Sequence, residues 1–195
     1  MAKVIADMSM SLDGYVADEN DGIDEVFAWY SSGPQTVETA NEMELQMTEG
    51  NAETFEEGIA GVGAVLTGRR TSDLAGAWGG RHPVGAPAFV VSHRPPPDDL
   101  DPETSTVHFV DGVEEAVRRA KEAAGDKAVG VAGGDTVRQL LELGLLDEIR
   151  VSLVPVVLGK GVRFFGAFDG TPVKLEGPDV TEGDGVTHLQ YRVVR

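Results

Sequence analysis

The chain has no cysteine in its 195 residues, which excludes disulfide staples, thiolate nucleophiles and thiolate metal centres together. It is also short of cations: 16 lysines and arginines stand against 33 aspartates and glutamates, for a net charge of −17. A surface of that sign repels nucleic acid and anionic membrane, so neither is expected as a partner. No apolar run is long enough to cross a membrane, and the opening MAKVIADMSM enters a strand pattern instead of a leader. A cytoplasmic protein is expected. The four histidines are scattered and no carboxylate cluster has metal-ligand spacing, so no metal is expected either.

What is present suits one hydrophobic core: 41% hydrophobic residues and 25% charged, at a length that predicts a single domain over residues 1–195. Residues 3–11 read as a largely buried strand, followed by a turn at Leu12-Asp13-Gly14 and a short extended piece at 15–17. Asp24 is placed to cap a short helix carrying Val26, Phe27 and Tyr30. Residues 36–58 are acidic, with Ala40, Met43 and Met47 at helical spacing. They predict one or two helices broken near Gly50-Asn51, the methionines filling core.

Strands are predicted at 63–67, 88–92 and 107–110, with a stiff surface linker at the triple proline 95–97. Asp111 and Glu114 form a D-x-x-E capping box ahead of the stripe Val113, Ala116, Val117, Ala120 and Ala124. A further strand at 128–132 runs into Gly133-Gly134. Asp135 and Thr136 offer N-caps to a helix with Val137, Leu140 and Leu141 on one side. The last strands, 149–157 and the alternating Leu189, Tyr191 and Val193, have no helix between them. The expectation is an α/β fold of three layers: a mixed, mostly parallel central sheet, helices on both faces, and an antiparallel C-terminal edge.

Ligands of open α/β sheets sit beyond the carboxyl ends of the strands. Three of those ends here carry phosphate-suited chemistry: Gly68-Arg69-Arg70-Thr71, Ser92-His93-Arg94 and Gly133-Gly134-Asp135-Thr136. Glycine lets the backbone approach an anion, and the free N–H groups of a first helical turn receive it. A Cβ at Gly134 is expected to stand between those N–H groups and the anion. Arginine supplies a planar fork matched to phosphate. Three arginines after two strands predict an extended phosphate ligand such as a dinucleotide. They suit a ribose 2′-phosphate, hence NADPH over NADH.

In this order, V-L-T-G-R-R-T, V-V-S-H-R, V-A-G-G-D-T and D-E-I-R-V-S-L-V-P-V-V-L-G-K-G, with M-S-M-S-L-D-G at 8–14, resemble the dihydrofolate-reductase-like fold. The resemblance is closest to the reductase domain, the C-terminal half, of the bifunctional deaminase-reductase of bacterial riboflavin biosynthesis. It implies an NADPH-dependent reductase similar to 5-amino-6-(5-phosphoribosylamino)uracil reductase. It places Arg69, Arg70, Thr71, Ser92 and Arg94 at the 2′-phosphate and Gly133, Gly134, Asp135 and Thr136 at the pyrophosphate. Ser11, Leu12, Asp13 and Gly14 then line the nicotinamide and substrate side, with Ser152 facing the same cavity.

The Trp-Ile-Thr-Gly-like and D-P-x-L-T-x-R stretches of riboflavin reductases are missing. Phe27-Ala28-Trp29-Tyr30 resembles the first helix of dihydrofolate reductases, with Asp24 and Glu25 out of register with its acid. Hydride transfer to an imine-like carbon needs a proton on the adjacent nitrogen, for which Asp13 and Asp24 are the candidates. Trp78 is a candidate cover for the substrate. Uncovered C-terminal strands, together with the resemblance, predict a homodimer. The alternatives are a dihydrofolate-reductase-like or orphan pterin or heterocycle reductase, and a non-catalytic module that binds NADPH or serves as a structural dimer.

Overall fold

The computed structural model describes residues 2–194. Strand β1 (Val4–Ser11) lies inside an eight-stranded sheet, paired in parallel with β8 (Ala128–Ala132) and β9 (Glu148–Val154). Beyond β8 the parallel run continues through β5 (Val62–Gly68), β6 (Ala88–Val91) and β7 (Val107–Val110). Beyond β9 come β12 (Val186–Val193) and β11 (Leu175–Gly183), both antiparallel to their neighbours. Two small ribbons stand apart, β2 (Tyr15–Ala17) with β10 (Val162–Arg163) and β3 (Gln35–Glu38) with β4 (Glu44–Met47). The helices are α1 (Glu49–Ala60), α2 (Arg69–Leu74), α3 (Val113–Ala124) and α4 (Gly134–Glu142).

Side chains alternate across a strand, so each strand divides its residues between two faces. On one face Val4, Ala6, Leu66, Val129, Val131, Ile149 and Val151 meet Ala116, Val117, Ala120 and Ala124 of α3 and Val137 and Leu140 of α4 in the main core. The other face holds two smaller clusters. Val26, Trp29, Val37, Leu45, Met47 and Ala52 cover the β9 and β12 end with Val154 and Val186. Val65, Ala77, Ala88, Val90 and Val107 form the second, over β5 to β7. Between them lie β1 and β8, which present Asp7, Gly130 and Ala132 to this face, opposite to their core residues. Over Gly130 the side chain of Val62 closes in, 3.4 Å from where a Cβ would stand.

Five local expectations are corrected. Residues 35–47 are a hairpin, not a helix: Val37, Leu45 and Met47 point inward at a spacing of two while Glu44 and Gln46 stay exposed, and Glu42 turns the chain at φ 67°. Met47 is fully buried but Met43 is exposed. Gly50-Asn51 opens α1 instead of breaking it, and buried Asn51 donates to Ser32 Oγ and the Asp184 carbonyl. Asp24 is exposed in a turn before a 3-10 helix at Ala28–Ser31, and caps nothing. Asp111, Asp135 and Thr136 cap nothing either. The N-caps are Gly112 and Gly133, at φ 85° and 102°, angles that glycine adopts without strain.

Candidate active site

The ends of β8, β5 and β6 are neighbours in the sheet, so the three predicted phosphate-binding turns come together. Gly133 leaves a gap in which an added Cβ would meet the hydroxyls of Thr71, Thr67 and Thr136 at 3.1, 3.6 and 3.8 Å. A Cβ on Gly68 would meet Thr136 Oγ1 at 3.0 Å. Thr67 Oγ1 already donates to the Ala132 carbonyl at 2.9 Å and is fully buried, so Thr71, Thr136 and the uncapped first turn of α4 are what this small-residue cradle offers an anion. Gly134 has a different task. Its Cβ would overlap the Arg163 carbonyl oxygen and lie 3.2 Å from the Gly166 nitrogen, so glycine there lets α4 close against the 163–166 backbone. The expectation that Gly134 faces the anion is overturned; Gly133 faces the cradle. Asp135 turns back along α4 to Arg138 and Gln139, away from it.

The arginines are gathered, and each is paired. Arg69 Nε donates to Asp73 at 2.6 Å, its Nη1 reaches Ser92 Oγ at 3.3 Å and the Pro95 carbonyl at 2.7 Å, and the guanidinium stacks on Phe109. Arg94 donates to the other oxygen of Asp73 at 2.9 Å. Arg69 foremost, with Arg94, holds the Asp73 carboxyl below its ordinary range. Arg70 grips Asp21, in the loop after β2, with bonds of 2.7 Å to both oxygens. His93 is exposed and pairs with Asp111. Beside Arg69 and Asp73 a crevice of about 450 Å³ opens between Gly76–Gly80 and residues 97–105.

The second part of the site is the cleft between the two clusters. Two polar rows cross its floor, set by strand register: Asp7, Arg150 and Gln190, then Ser9, Ser152 and His188. Asp7 is exposed to solvent, yet desolvation raises its carboxyl above the ordinary range, with Arg150 offsetting part. Asp7 is thus reached by water on one side while protein packs around its base. Tyr30 faces the same charge. Burial first, then Asp7, holds its hydroxyl well above the usual tyrosine range, so it remains a donor. Trp29 Nε1 donates to Ser9 Oγ at 2.9 Å, and Ser152 Oγ meets His188 Nδ1 at 3.0 Å. Arg150 Nε and His188 Nε2 are buried with no hydrogen-bond partner within the described protein.

Asp7 was missed by sequence reasoning, although a charge within the apolar run VIADMSMS is a signal, because strands bury such residues only with partners or a purpose. The candidate proton sources fare differently. Asp13 accepts from Ser11 Oγ at 2.7 Å and from the amides of Leu158 and Gly159 at 3.1 and 2.7 Å. The Ser11 bond first, then those amides, keeps its carboxyl low and ionised, so it staples the β1 turn to the 156–159 loop instead of donating a proton. Asp24 is exposed in its turn and the cleft does not use it. Ser152 is buried on β9, in register between Ser9 and His188. Leu12 is exposed beside the Ser11–Gly14 turn. Trp78 packs with the β5–β7 cluster and edge-on to His82, on a left-handed turn, and so anchors that loop. Among the described residues no group of acids or histidines is placed to hold a metal, and no helix is long and apolar enough to cross a membrane.

Residues 2–184 match the family model of the RibD C-terminal domain. The chain belongs to that family. A putative riboflavin biosynthesis protein from Shewanella sp. PV-4 superposes with a TM-score of 0.73 at 25% identity, each chain covered in full. The Thermotoga maritima diaminohydroxyphosphoribosylaminopyrimidine deaminase/5-amino-6-(5-phosphoribosylamino)uracil reductase gives 0.65 at 16% identity. There 99% of this chain covers 57% of the other, so the family domain spans little more than half of that protein. A dihydrofolate reductase from Enterococcus faecalis, complexed with NADP(H), gives 0.58 at 16% identity over 98% and 96% of the two chains, which makes the fold dihydrofolate-reductase-like. No curated protein matches the chain.

Proposed function

We propose that this domain reduces a nitrogen heterocycle of the pyrimidine or pterin type with NADPH. By family it is a RibD-like reductase, an oxidoreductase; the cofactor, the substrate and the residue roles are our reading. The observation that carries it is the meeting of two unlike sites along one sheet: an anion cradle at the ends of β8, β5 and β6, and a cleft floored by Asp7 on β1, the strand beside β8.

The residues present fit a phosphorylated dinucleotide. Gly133 with Thr71 and Thr136 would hold the pyrophosphate, and Arg69, Arg70, Ser92 and Arg94 the 2′-phosphate, with the adenosine end beside the Arg69 crevice. Bound NADPH would supply a hydride. The protein's own part is to orient the ring, hold off bulk water and place an acid near the nitrogen that gains a proton. Asp7 is the acid of the cleft, and we assign it the role first sought in Asp13 or Asp24. The test is direct: mix the chain with NADPH and a panel holding 5-amino-6-(5-phosphoribosylamino)uracil and reducible pterins, and follow NADPH absorbance. Turnover of one heterocycle supports the reading; failure to bind NADPH defeats it.

A homodimer belongs to the same proposal. Strand β11 is a nine-residue sheet edge exposed almost throughout, with Leu175 and Val180 open to solvent, and an uncapped edge of that length offers a ladder to a second copy. Light scattering at micromolar concentration should give twice the chain mass; a monomer rejects it.

A further inference from the structure

We propose that Met8 is an oxidation site that governs the anion cradle: peroxide converts its thioether to a sulfoxide, and the oxidised domain binds a dinucleotide phosphate weakly. That the anion is NADPH rests on the reductase reading above; the placement of the sulfur does not.

The Gly133 amide donates to Met8 Sδ at 3.0 Å. Strand β1 thus reaches the N-cap of α4, the residue whose missing side chain leaves the cradle open to Thr71 and Thr136. A thioether is a weak acceptor, and it steadies this turn without charge. At 3.0 Å an oxygen bonded to sulfur cannot lie between the two atoms unless one of them retreats. The turn has little freedom to do so. Gly133 is held at φ 102°, and Gly134 packs so closely on the Arg163 carbonyl that a Cβ would overlap it. A sulfoxide oxygen that takes the Gly133 amide displaces the turn; one that swings aside sets a negative dipole beside the place of the phosphate. Both outcomes weaken anion binding.

The side chain is open to the reagent. Met8 is only partly buried against the main core, and the chain has no cysteine to intercept an oxidant first. Met47 is fully buried, and Met43 is exposed just before β4. The step balances with hydrogen peroxide as the oxidant. A sulfur lone pair attacks one peroxide oxygen, the O–O bond breaks and an S–O bond forms. The departing hydroxide takes the proton of the transferred oxygen and leaves as water. Sulfur is oxidised by two electrons, and methionine sulfoxide reductases reverse the change.

The test treats the full chain with hydrogen peroxide, locates the added oxygen by peptide mass, and titrates NADPH by calorimetry before and after. Oxidation of Met8 should lower NADPH affinity about tenfold or more while the cooperative melt survives. Methionine sulfoxide reductases with dithiothreitol should restore binding, a result that needs no variant. Met8→Leu should show the same affinity before and after peroxide, whereas Met43→Leu should lose it as the wild type does. Unchanged affinity in chains oxidised at Met8 overturns the inference, as does a loss that persists in Met8→Leu. So does loss of the melt together with binding, because core damage then explains both. If the untreated chain binds no NADPH, the reductase reading falls and inorganic pyrophosphate becomes the probe. Pyrophosphate binding that ignores the oxidation of Met8 then overturns this inference separately.

Discussion

Arg69, Arg70 and Arg94 at the strand ends each hold an acid, whereas Arg150 Nε and His188 Nε2 in the cleft are buried without a partner. The first region is largely paired within the chain, its glycines, threonines and ion pairs positioned by backbone and by one another, with Ser72 Oγ on α2 its buried hydroxyl without a partner among the described residues. The second is incomplete. Buried polar groups are nearly always hydrogen-bonded, so those left over mark the place where something else completes the set. The two regions share one sheet and differ in how far the chain itself completes them.

The largest expected effect sharpens the first half of that contrast. Gly134→Val sets a side chain against the Arg163 backbone, which no rotamer relieves, so the variant should lose more than about 4 kcal/mol of stability. Gly133→Ala, at φ 102°, should cost about 1–3 kcal/mol and still fold. Thermal melts with NADPH separate them. At a hundredfold excess over its dissociation constant NADPH adds about 2.7 kcal/mol to the wild type; the folded Gly133→Ala protein should gain little. A full gain there would empty the cradle of its role.

Arg94→Ala comes next. It removes one charged contact from the 2′-phosphate side and frees Asp73 to repel, so NADPH affinity should fall about tenfold and NADH affinity should stay put. An unchanged ratio of the two removes Arg94 from the site.

The smallest effect belongs to the cleft and has the opposite sign. Folding raises the Asp7 pKa, so its contribution to stability is complete below the ordinary carboxylate range and is lost as pH rises through the raised value. At neutral pH its charge costs stability despite Arg150. Asp7→Asn should therefore melt above the wild type at neutral pH, and the two curves should converge on acidification. A variant that melts lower at every pH would make Asp7 a framework residue and break the contrast.

Much of this was legible in the sequence. The apolar runs of β1, β5, β6, β8 and β9 are buried-strand patterns, and the glycines after one strand and the arginines after two others do lie together at neighbouring strand ends. What escaped depends on neighbours far apart in the chain. Gly133 and Gly134 look alike in sequence, and only the 163–166 backbone makes the second a packing residue. Asp13 reads as a turn acid until residues 158 and 159 donate to it. The β3–β4 hairpin was hidden because Ala40, Met43 and Met47 also fit a helical period. Asp7 stands out only once its strand is seen to run between the two smaller clusters.

The prior pairing of the arginines bears on selectivity. On the function proposed above, a phosphate reaching them would enter as a competitor, displacing Asp73 or Asp21 from bonds of 2.6–2.9 Å. A weakly coordinating anion has nothing to offer beyond what those carboxylates give, and is turned away. A phosphoryl group brings three oxygens and more charge, and gains further when the rest of its molecule is already seated in the glycine cradle. The resident acids thus set a threshold, and only an anion delivered on the right scaffold crosses it.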